Sequence, residues 1–373
     1  MTGCEAAIRP ARAVIDPGAL LHNLSVVRRH APDSRVMAVV KADAYGHGLV
    51  PVARWLAPHV DALAVATAGE GRVLRQAGIE GPVVVLHGMN DAGEWRCVLE
   101  HDLEPVIHSL HQLRILSALQ QGERMPRRLW IKLDTGMHRL GLGSADLPAL
   151  DAWLAECSER PEVVWMTHFA CADDAGDDTT RQQWQRFCTL LEGREGPRSA
   201  ANSAAIMAWP ETHADWVRPG IMLYGGSPLA GREGPELDLK PVMRFEAPLL
   251  AVREVRAGEG IGYGLAWHAD RDTRIGIVAA GYADGYPRHA PSGTPAGLRG
   301  HRLALAGRVS MDMLAIDLGQ VEAVPGEWVE LWGETVPVDT VAAVAGTIGY
   351  ELLCATAGRT RHVWQEAVSA PDT

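Results

Sequence analysis

An alternation of strand-like and helix-like segments through the first 225 residues most constrains the fold of this chain. Between short apolar runs lie stretches with apolar residues at three- and four-residue spacing, which is typical of amphipathic helices. Strands that alternate with helices form parallel sheets. The eight apolar runs occupy residues 36–41, 62–67, 82–86, 105–107, 129–134, 164–169, 198–202 and 221–224.

The number of strand–helix units predicts how the sheet closes. Eight units in about 225 residues favour a (β/α)8 TIM barrel. The same alternation leaves a doubly wound open sheet as an alternative. The predicted fold class is therefore α/β, with an N-terminal barrel domain.

A Pro-, Gly- and charge-rich segment at residues 228–241 predicts a linker. Beyond it, short strand-like runs separated by glycines predict a mainly β C-terminal domain with one helix at residues 338–345. We predict a barrel domain over residues 1–232 and a β domain over residues 233–373. The predicted strands of the second domain are residues 247–255, 274–280, 303–306, 311–318 and 328–332.

Composition excludes several functional classes. A net charge of −11 argues against nucleic acid as a partner, which would need a basic face. The six cysteines are scattered without framework spacing, which predicts reduced thiols and a cytoplasmic protein. The sequence contains no run of about eighteen apolar residues, so no membrane span is predicted. His108 and His111 have no further ligands nearby, so no metal site is predicted.

Polar and basic residues follow the carboxyl ends of the predicted strands, where barrel enzymes place their active sites. Lys41 closes the first run just before a Gly-rich loop. Burial there would lower the lysine pKa and leave a nucleophilic amine suited to Schiff-base chemistry. The other candidates, which suit an anionic phosphate and a carboxylate substrate, are Tyr45, residues 134–139, His168, Asn202, Ser203 and residues 218–224.

Each candidate also has an explanation that involves no ligand. Taken by itself, Lys41 fits an ordinary lysine at the end of a strand, with its ammonium group extended into solvent. Arg139 fits a surface arginine, and His168 fits a hydrogen-bonded core histidine. Residues 202–203 are good caps for a following helix, and the Arg-Pro-Gly sequence at residues 218–220 is typical of a turn.

Three segments of the second domain place aromatic or polar residues among turn residues. They are residues 260–264 (GIGYG), 280–287 (AGYADGYP) and 307–313 (GRVSMDM). Glycines allow the backbone to come close to a ligand. Taken one at a time, these segments fit turns filled by aromatic side chains.

Eight motifs in one order resemble the alanine racemase family. They are AVVKADAYGHG, LDTGMHRLG, THFA, NSAA, VRPGIMLYG, IGYG, AGYADGYP and GRVSMD, and the resemblance runs from about residue 12 to residue 361. It implies a barrel of fold-type III that binds pyridoxal 5′-phosphate. Serine-specific and broader amino-acid racemases share much of this pattern and remain an alternative.

The resemblance implies a two-base mechanism with Lys41 bound to the cofactor as a Schiff base. Inversion at Cα needs proton removal on one face and delivery on the other. Lys41 would serve the D-alanine face and Tyr263 the L-alanine face. Tyrosine has a reference pKa of about 10 and is therefore a poor base at neutral pH. The resemblance implies that a network of His168 and Arg218 favours the phenolate form of Tyr263. Arg218 would also hydrogen-bond the pyridine nitrogen.

Further residue roles come from the same resemblance. Arg139 and the backbone of Met311 would hold the substrate carboxylate. Tyr282 would narrow the entrance together with Tyr350, and Asp312 would support the site. The expected cofactor-binding residues are Lys41, Tyr45, His168, Asn202, Ser203, Arg218, Gly220, Ile221 and Tyr350.

Lys132 lies on a predicted strand, on the same face as Trp130 and Asp134. In some alanine racemases the matching lysine is carbamylated, and the resulting anion orients the arginine that corresponds to Arg139. The alternative is an ion pair between Lys132 and Asp134.

The resemblance also implies a homodimer with active sites shared between subunits and alanine as the substrate. The D-alanine would supply cell-wall peptidoglycan, or the enzyme would serve alanine catabolism. Two further alternatives are a fold-type III amino-acid decarboxylase and a pyridoxal-phosphate carrier. Tyr263 and Arg218 count against the decarboxylase, and the second domain counts against the carrier.

Overall fold

The computed structural model describes residues 10–119, 125–157 and 160–365. One strand, β1 (Arg12–Ile15), precedes a closed barrel of eight parallel strands. Most barrel-strand residues are apolar and buried, as strands covered on both faces require. The barrel strands are β2 (Arg35–Val39), β3 (Ala62–Val65), β4 (Val83–Val85), β5 (Glu104–Ile107), β6 (Arg128–Lys132), β7 (Glu162–Met166), β8 (Arg198–Asn202) and β9 (Trp216–Arg218).

Helices connect the barrel strands and cover them. The first begins at Asp16, whose carboxylate accepts hydrogen bonds from the N–H groups of Gly18 and Ala19. Another begins with a capping box in which the Thr67 and Glu70 side chains each accept from the other's backbone N–H. The helices are α1 (Pro17–His30), α2 (Lys41–Gly46), α3 (Leu49–Leu56), α4 (Ala68–Gln76), α5 (Ala92–Glu100), α6 (Leu110–Leu119), α7 (Leu147–Glu156), α8 (Thr179–Leu190) and α9 (Ser203–Ala208).

The second half of the chain forms a sheet and two short helices, α10 (Val338–Ala345) and α11 (Gly349–Ala355). The sheet order is β13-β16-β15-β14-β17-β10-β1-β18, and β13 also pairs with β10. A separate hairpin contains β11 (Gly260–Ile261) and β12 (Trp267–His268). The sheet strands are β10 (Met243–Val255), β13 (Thr273–Val278), β14 (Pro295–Leu298), β15 (His301–Leu305), β16 (Leu314–Asp317), β17 (Trp328–Trp332) and β18 (Arg361–Trp364).

The predicted barrel and mainly β second region are confirmed, and the doubly wound sheet is excluded because β2 pairs with β9. The eighth strand was wrongly placed: residues Ile221–Tyr224 form a 3-10 helix, and Trp216–Arg218 is the strand. Most predicted strands are one to three residues too long at their carboxyl ends, since the apolar pattern continues into the loops. The three- and four-residue spacing predicts helices over residues 110–121 and 147–158, and their ends at residues 120–121 and 158 lie outside the described residues.

Strand β1 belongs to the second sheet although it precedes the barrel in sequence. It runs antiparallel to β10 and parallel to β18. The division of the chain at residues 232 and 233 stays a prediction. The structure adds that the amino-terminal strand completes the sheet of the second half.

The predicted linker packs against α10. The Asp339 carboxylate accepts hydrogen bonds from the N–H groups of Ser227 and Gly234, at 2.9 to 3.1 Å. Gly234 has no room for a side chain, since an added Cβ would lie 2.1 Å from the Gly225 carbonyl oxygen. The linker therefore fixes α10, and the neighbouring α11, against the barrel.

None of the described helices has by itself the length and apolar character needed to cross a bilayer. Helices α10 and α11 reach this length and apolar character only when they are counted together, and the chain bends by 104° between them.

Glu246 is a buried carboxylate that joins β1 to β10, with bonds of 2.7 Å from the Nε atoms of Arg12 and Arg244. We expect Glu246→Gln to lower the free energy of unfolding by about 1–3 kcal/mol, because two guanidinium groups lose an ionised acceptor. Urea denaturation measures the change. As a control, Glu236→Gln removes the exposed ion pair with Arg232 and should have a smaller effect. Equal effects of the two changes would contradict a special role for Glu246.

Candidate active site

A cavity of about 470 Å³ opens where the barrel strands end. Four cationic side chains line it, and no carboxylate does so among the described residues. The cavity therefore favours anionic ligands. Its lining includes eleven residues predicted from the sequence: Lys41, Tyr45, Lys132, Arg139, His168, Asn202, Ser203, Arg218, Gly220, Ile221 and Tyr350.

Lys41 stands two residues beyond the end of β2, at the position from which a strand-end side chain faces the cavity. Burial lowers its pKa, and the positive charge of Arg139 lowers it further. Glu70 and Cys354 act in the opposite direction. The amine is thus easier to deprotonate than a surface lysine, which a nucleophile requires.

The segment after Lys41 is a left-handed helical turn. Residues 42–45 have φ angles between 52° and 55°, and Gly46 follows with φ 78°. This conformation costs about 1–2 kcal/mol per non-glycine residue. It brings the Tyr45 side chain to the same cavity as Lys41.

Tyr45 is held by aromatic stacking. Its ring lies 4.7 Å from that of Tyr224, whose hydroxyl donates to the carbonyl oxygen of Val39 at 2.9 Å. Burial raises the pKa of Tyr45 and of Tyr224, so both hydroxyls stay protonated and able to donate. A Cβ on Gly220 would lie 2.5 Å from the Tyr45 hydroxyl oxygen, so this position has no room for a side chain.

Arg218 is a buried cation surrounded by neutral acceptors. Its guanidinium donates to Ser199 Oγ and to the carbonyl oxygen of Thr167, both at 2.6 Å. It also contacts His168 Nδ1 at 3.4 Å. Burial lowers the pKa of Arg218 to about 10, so the group stays charged at neutral pH.

The charge of Arg218 acts on His168. Burial lowers the pKa of His168 well below its usual value, and Arg218 lowers it further. His168 is therefore neutral, and its Nδ1 accepts from the guanidinium. The predicted contact between these two residues is present.

Lys132, the last residue of β6, lies near Arg139, Arg218 and Lys41. Burial and these three positive charges lower its pKa to about 8. The alternative prediction, an ion pair between Lys132 and Asp134, is wrong for the described residues. The Asp134 carboxylate instead accepts from the N–H groups of Gly136 and His138 and contacts the His138 ring, and no ion pair joins it to Lys132.

Arg139 differs from the other cations of the cavity because it is exposed. Among the described residues its guanidinium has no hydrogen-bond or ion-pair partner. A guanidinium with free donors can bind a carboxylate in a bidentate manner.

Ser203 and Asn202 lie at the start of α9. Ser203 Oγ accepts from the N–H of Gly220 at 2.8 Å, and Asn202 Oδ1 accepts from the N–H of Ala205. Asn202 is thus the helix cap that the sequence indicated, and it also lines the cavity. The loop of Gly220 and the start of α9 therefore form one wall.

The second half of the chain contributes Tyr350 to the cavity through α11. The Tyr350 ring lies 6.0 Å from that of Tyr45, and burial raises its pKa. The other four predicted residues from this half do not line the cavity: Tyr263, Tyr282, Met311 and Asp312.

These four residues lie on a separate surface. Tyr263 is 68% exposed in the loop of the β11–β12 hairpin, and Met311 is 52% exposed. The N–H of Tyr282 donates to the carbonyl oxygen of Ser310, and Asp312 pairs with Arg359. Within one chain, the structure does not bring Tyr263 together with Lys41.

Comparisons with known proteins agree with both halves of the fold. The family model "Alanine racemase, N-terminal domain" matches residues 15–228, and "Alanine racemase, C-terminal domain" matches residues 242–364. The chain belongs to the alanine racemase family.

Relatives within the alanine racemase family cover nearly the whole chain. The alanine racemase of Thioalkalivibrio sulfidiphilus is 51% identical over 95% of this chain and 98% of its own length. That of Nitrosospira multiformis is 48% identical over 95% of this chain and 99% of its own length.

Solved structures give the same result. The biosynthetic alanine racemase from Pseudomonas aeruginosa superposes with a TM-score of 0.92 at 44% identity, covering 96% of this chain and 100% of that one. The alanine racemase from Acinetobacter baumannii gives a TM-score of 0.90 at 40% identity with the same coverage.

Sequence reasoning missed several residues that line the cavity of this alanine racemase family member. His87 and Leu86 directly follow β4, so the rule that strand ends face the site would have found them. Thr167, before His168, could have been found in the same way. Cys354 lies on α11, and no pattern in the sequence pointed to it.

The close approach of Gly220 to Tyr45 allows a test. We expect Gly220→Ala to lower the free energy of unfolding by about 1–3 kcal/mol, because the new methyl group displaces a packed tyrosine. Differential scanning calorimetry measures the loss. Gly358→Ala is the control, since a Cβ at Gly358 meets no atom within 4 Å. A Gly220→Ala protein as stable as the control would show that the loop can move away from Tyr45.

Proposed function

We propose that this chain interconverts L-alanine and D-alanine with pyridoxal 5′-phosphate bound covalently to Lys41. The observation that carries the proposal is the cavity itself, which surrounds a lysine of lowered pKa with three more cations and no carboxylate among the described residues. The reaction is an isomerisation. We propose that it takes place in the cytoplasm and supplies D-alanine for peptidoglycan or serves alanine catabolism.

The residues of the cavity fit this cofactor. Three residues with hydroxyl groups line the cavity together with Gly220: Tyr45, Ser203 and Tyr350. Hydroxyl and backbone N–H groups are suitable phosphate donors. The phosphate would lie here, with Ile221 and Asn202 completing this wall.

When bound, pyridoxal phosphate withdraws electrons from the substrate Cα and so makes its proton removable. Arg218 would donate a hydrogen bond to the pyridine nitrogen. A guanidinium does not give up its proton at neutral pH, so that nitrogen would remain unprotonated. His168 Nδ1 contacts the Arg218 guanidinium at 3.4 Å, and this contact would help to keep Arg218 in place.

Two bases on opposite faces of the substrate would exchange its proton. Lys41 would act on one face, for D-alanine, and its lowered pKa favours the neutral amine that a base requires. Tyr263 would act on the other face, for L-alanine. Since Tyr263 does not line the cavity of its own chain, a second copy of the chain would supply it.

A homodimer with shared sites is consistent with the surface around Tyr263. Exposed apolar side chains accompany it, and such a patch indicates a contact surface. Tyr282, Met311 and Asp312 would enter the partner's site with it, where Tyr282 narrows the entrance. The exposed apolar residues of this surface are Tyr263, Leu265, Tyr282, Met311 and Met313.

The substrate carboxylate would bind Arg139, whose donors are unused among the described residues. The backbone of Met311 from the partner would add a hydrogen bond to the same carboxylate.

The reaction and the role of Lys41 can be tested together. Incubation with L-alanine in D₂O should give loss of optical rotation together with deuterium at Cα. Lys41→Ala should abolish both, and borohydride reduction followed by peptide mass spectrometry should find no covalent cofactor in that variant. Cofactor trapped on a different lysine would contradict the assignment. Release of CO₂ in place of racemisation would indicate a decarboxylase.

Mixed dimers test the shared site. Lys41→Ala homodimers should be inactive, and Tyr263→Phe homodimers should be only weakly active, since loss of a positioned acid or base costs about 10²–10⁴-fold. After the two are mixed and allowed to exchange subunits, one site of each heterodimer contains both wild-type residues, so activity should return. Wild-type dimers treated in the same way are the control. Heterodimers that form but remain inactive would rule out sharing.

We also propose that Lys132 is carbamylated. Only a neutral amine reacts with CO₂, and the pKa of about 8 provides one near neutral pH. The resulting anion would be stabilised by Arg139 and Arg218. The neutral fraction grows as pH rises through about 8, so ¹³C NMR with labelled bicarbonate should show a carbamate signal that increases over this range. The signal should be absent in Lys132→Ala, and its persistence there would refute this site.

A further inference from the structure

The left-handed turn of residues 42–45 needs a physical cause. Four consecutive non-glycine residues rarely adopt this conformation. Strained backbone of this kind persists only where surrounding contacts determine it.

Two imidazoles bind its carbonyl groups. His47 Nδ1 lies 3.0 Å from the Ala44 oxygen and 2.9 Å from the Tyr45 oxygen. His362 Nε2 lies 2.8 Å from the Gly46 oxygen. Carbonyl oxygens only accept hydrogen bonds, so both ring nitrogens are donors. Two imidazole N–H groups therefore bind three successive carbonyl groups, because the carbonyl oxygens of Ala44 and Tyr45 share the N–H of His47.

His47 is suited to this role because it does not change its charge. The side chain is completely buried, and burial lowers its pKa to about 3. The ring is therefore neutral at any working pH, with its one hydrogen on Nδ1. It also packs 4.7 Å from the ring of Tyr224, the same tyrosine on which Tyr45 stacks.

Other contacts fix the ends of the turn. The N–H of Ala42 donates to Glu70 at 2.8 Å, and Asp43 accepts from the N–H of Leu49 at 2.7 Å. On the other side, the backbone of Gly46 packs closely against α11. An added Cβ at Gly46 would lie only 2.1 Å from the Leu353 carbonyl oxygen. The turn is thus enclosed between the barrel and the elements α11 and β18 of the second half.

We propose that His47 and His362 are positioning residues for the reaction. By donating to the carbonyl groups of the turn, they maintain the left-handed conformation that brings the Lys41 amine and the Tyr45 hydroxyl into one cavity. Because His362 lies on β18, the second half of each chain would position the lysine of the same chain. The consequence for cofactor binding rests on the proposed function of Lys41, whereas the conformation of the turn does not.

The test compares His47→Leu with His47→Asn. Leucine removes the donor, whereas the asparagine amide nitrogen lies close to the position of the imidazole Nδ1. In the protein without cofactor, hydrogen exchange followed by mass spectrometry reports the amides of residues 42–49. A spectrophotometric titration reports the affinity for pyridoxal phosphate.

His47→Leu should exchange about tenfold faster in this segment and bind pyridoxal phosphate about tenfold more weakly, as loss of a buried hydrogen bond implies. His47→Asn should restore both values to near wild type. His101→Leu is the matched control, since His101 Nδ1 bonds the Cys97 carbonyl oxygen at 3.0 Å outside the cavity. The control should leave both measurements unchanged.

The proposal is overturned if His47→Leu leaves the exchange of residues 42–49 at the wild-type value, or if asparagine fails to restore that exchange. It is also overturned if the affinity for pyridoxal phosphate is unchanged while the cofactor is bound to Lys41. If His47→Leu does not fold, His362→Leu and His362→Gln give the same comparison, because glutamine places its amide nitrogen near the imidazole Nε2. Cofactor found on another lysine would refute the proposed function of Lys41. The exchange of the cofactor-free turn would still decide whether the histidines hold it.

Discussion

Desolvation of positive charge is the constraint on which the rest of this structure depends. Four cations share a cavity without a carboxylate in its described lining, and one of them, Arg218, is almost fully buried. Buried charges of one sign repel one another unless acceptors or a ligand compensate them. Arg218 is compensated by Ser199 Oγ and backbone carbonyl groups, whereas Lys41 and Lys132 respond with lowered pKa values. The protein thus has a site whose charge an anionic ligand would balance.

The architecture explains how these charges are brought together. In a closed parallel barrel all carboxyl ends meet at one rim, so residues far apart in sequence become neighbours. Lys41 follows β2, Lys132 ends β6 and Arg218 ends β9. The second half adds α11 above this rim, and the contact of Asp339 with the linker keeps that helix against the barrel. Rigid elements therefore position every cation except Arg139.

The sequence predicted most of this arrangement for a simple reason. Apolar periodicity reports buried strands and helices, and a barrel then determines where their ends lie, so Lys41 and His168 are predicted from the positions of strand ends. Patterns failed where structure depends on distant contacts. The strand at residues 216–218 is too short to stand out, and Ile221–Tyr224 is apolar because it is buried, not because it is extended. Cys354 and the left-handed turn depend on tertiary packing, which local sequence does not encode.

Strand β1 has a consequence for how the molecule assembles. It lies between β10 and β18, so an inner strand of the second sheet comes from a segment that precedes the barrel in sequence. The outer strand, β18, comes from residues that follow the rest of that sheet. The barrel is connected to this sheet on both sides, through β1 before it and the linker after it. Neither half is therefore a complete folding unit. Separation at the linker would remove an inner strand from the second sheet and leave that strand unpaired on the barrel.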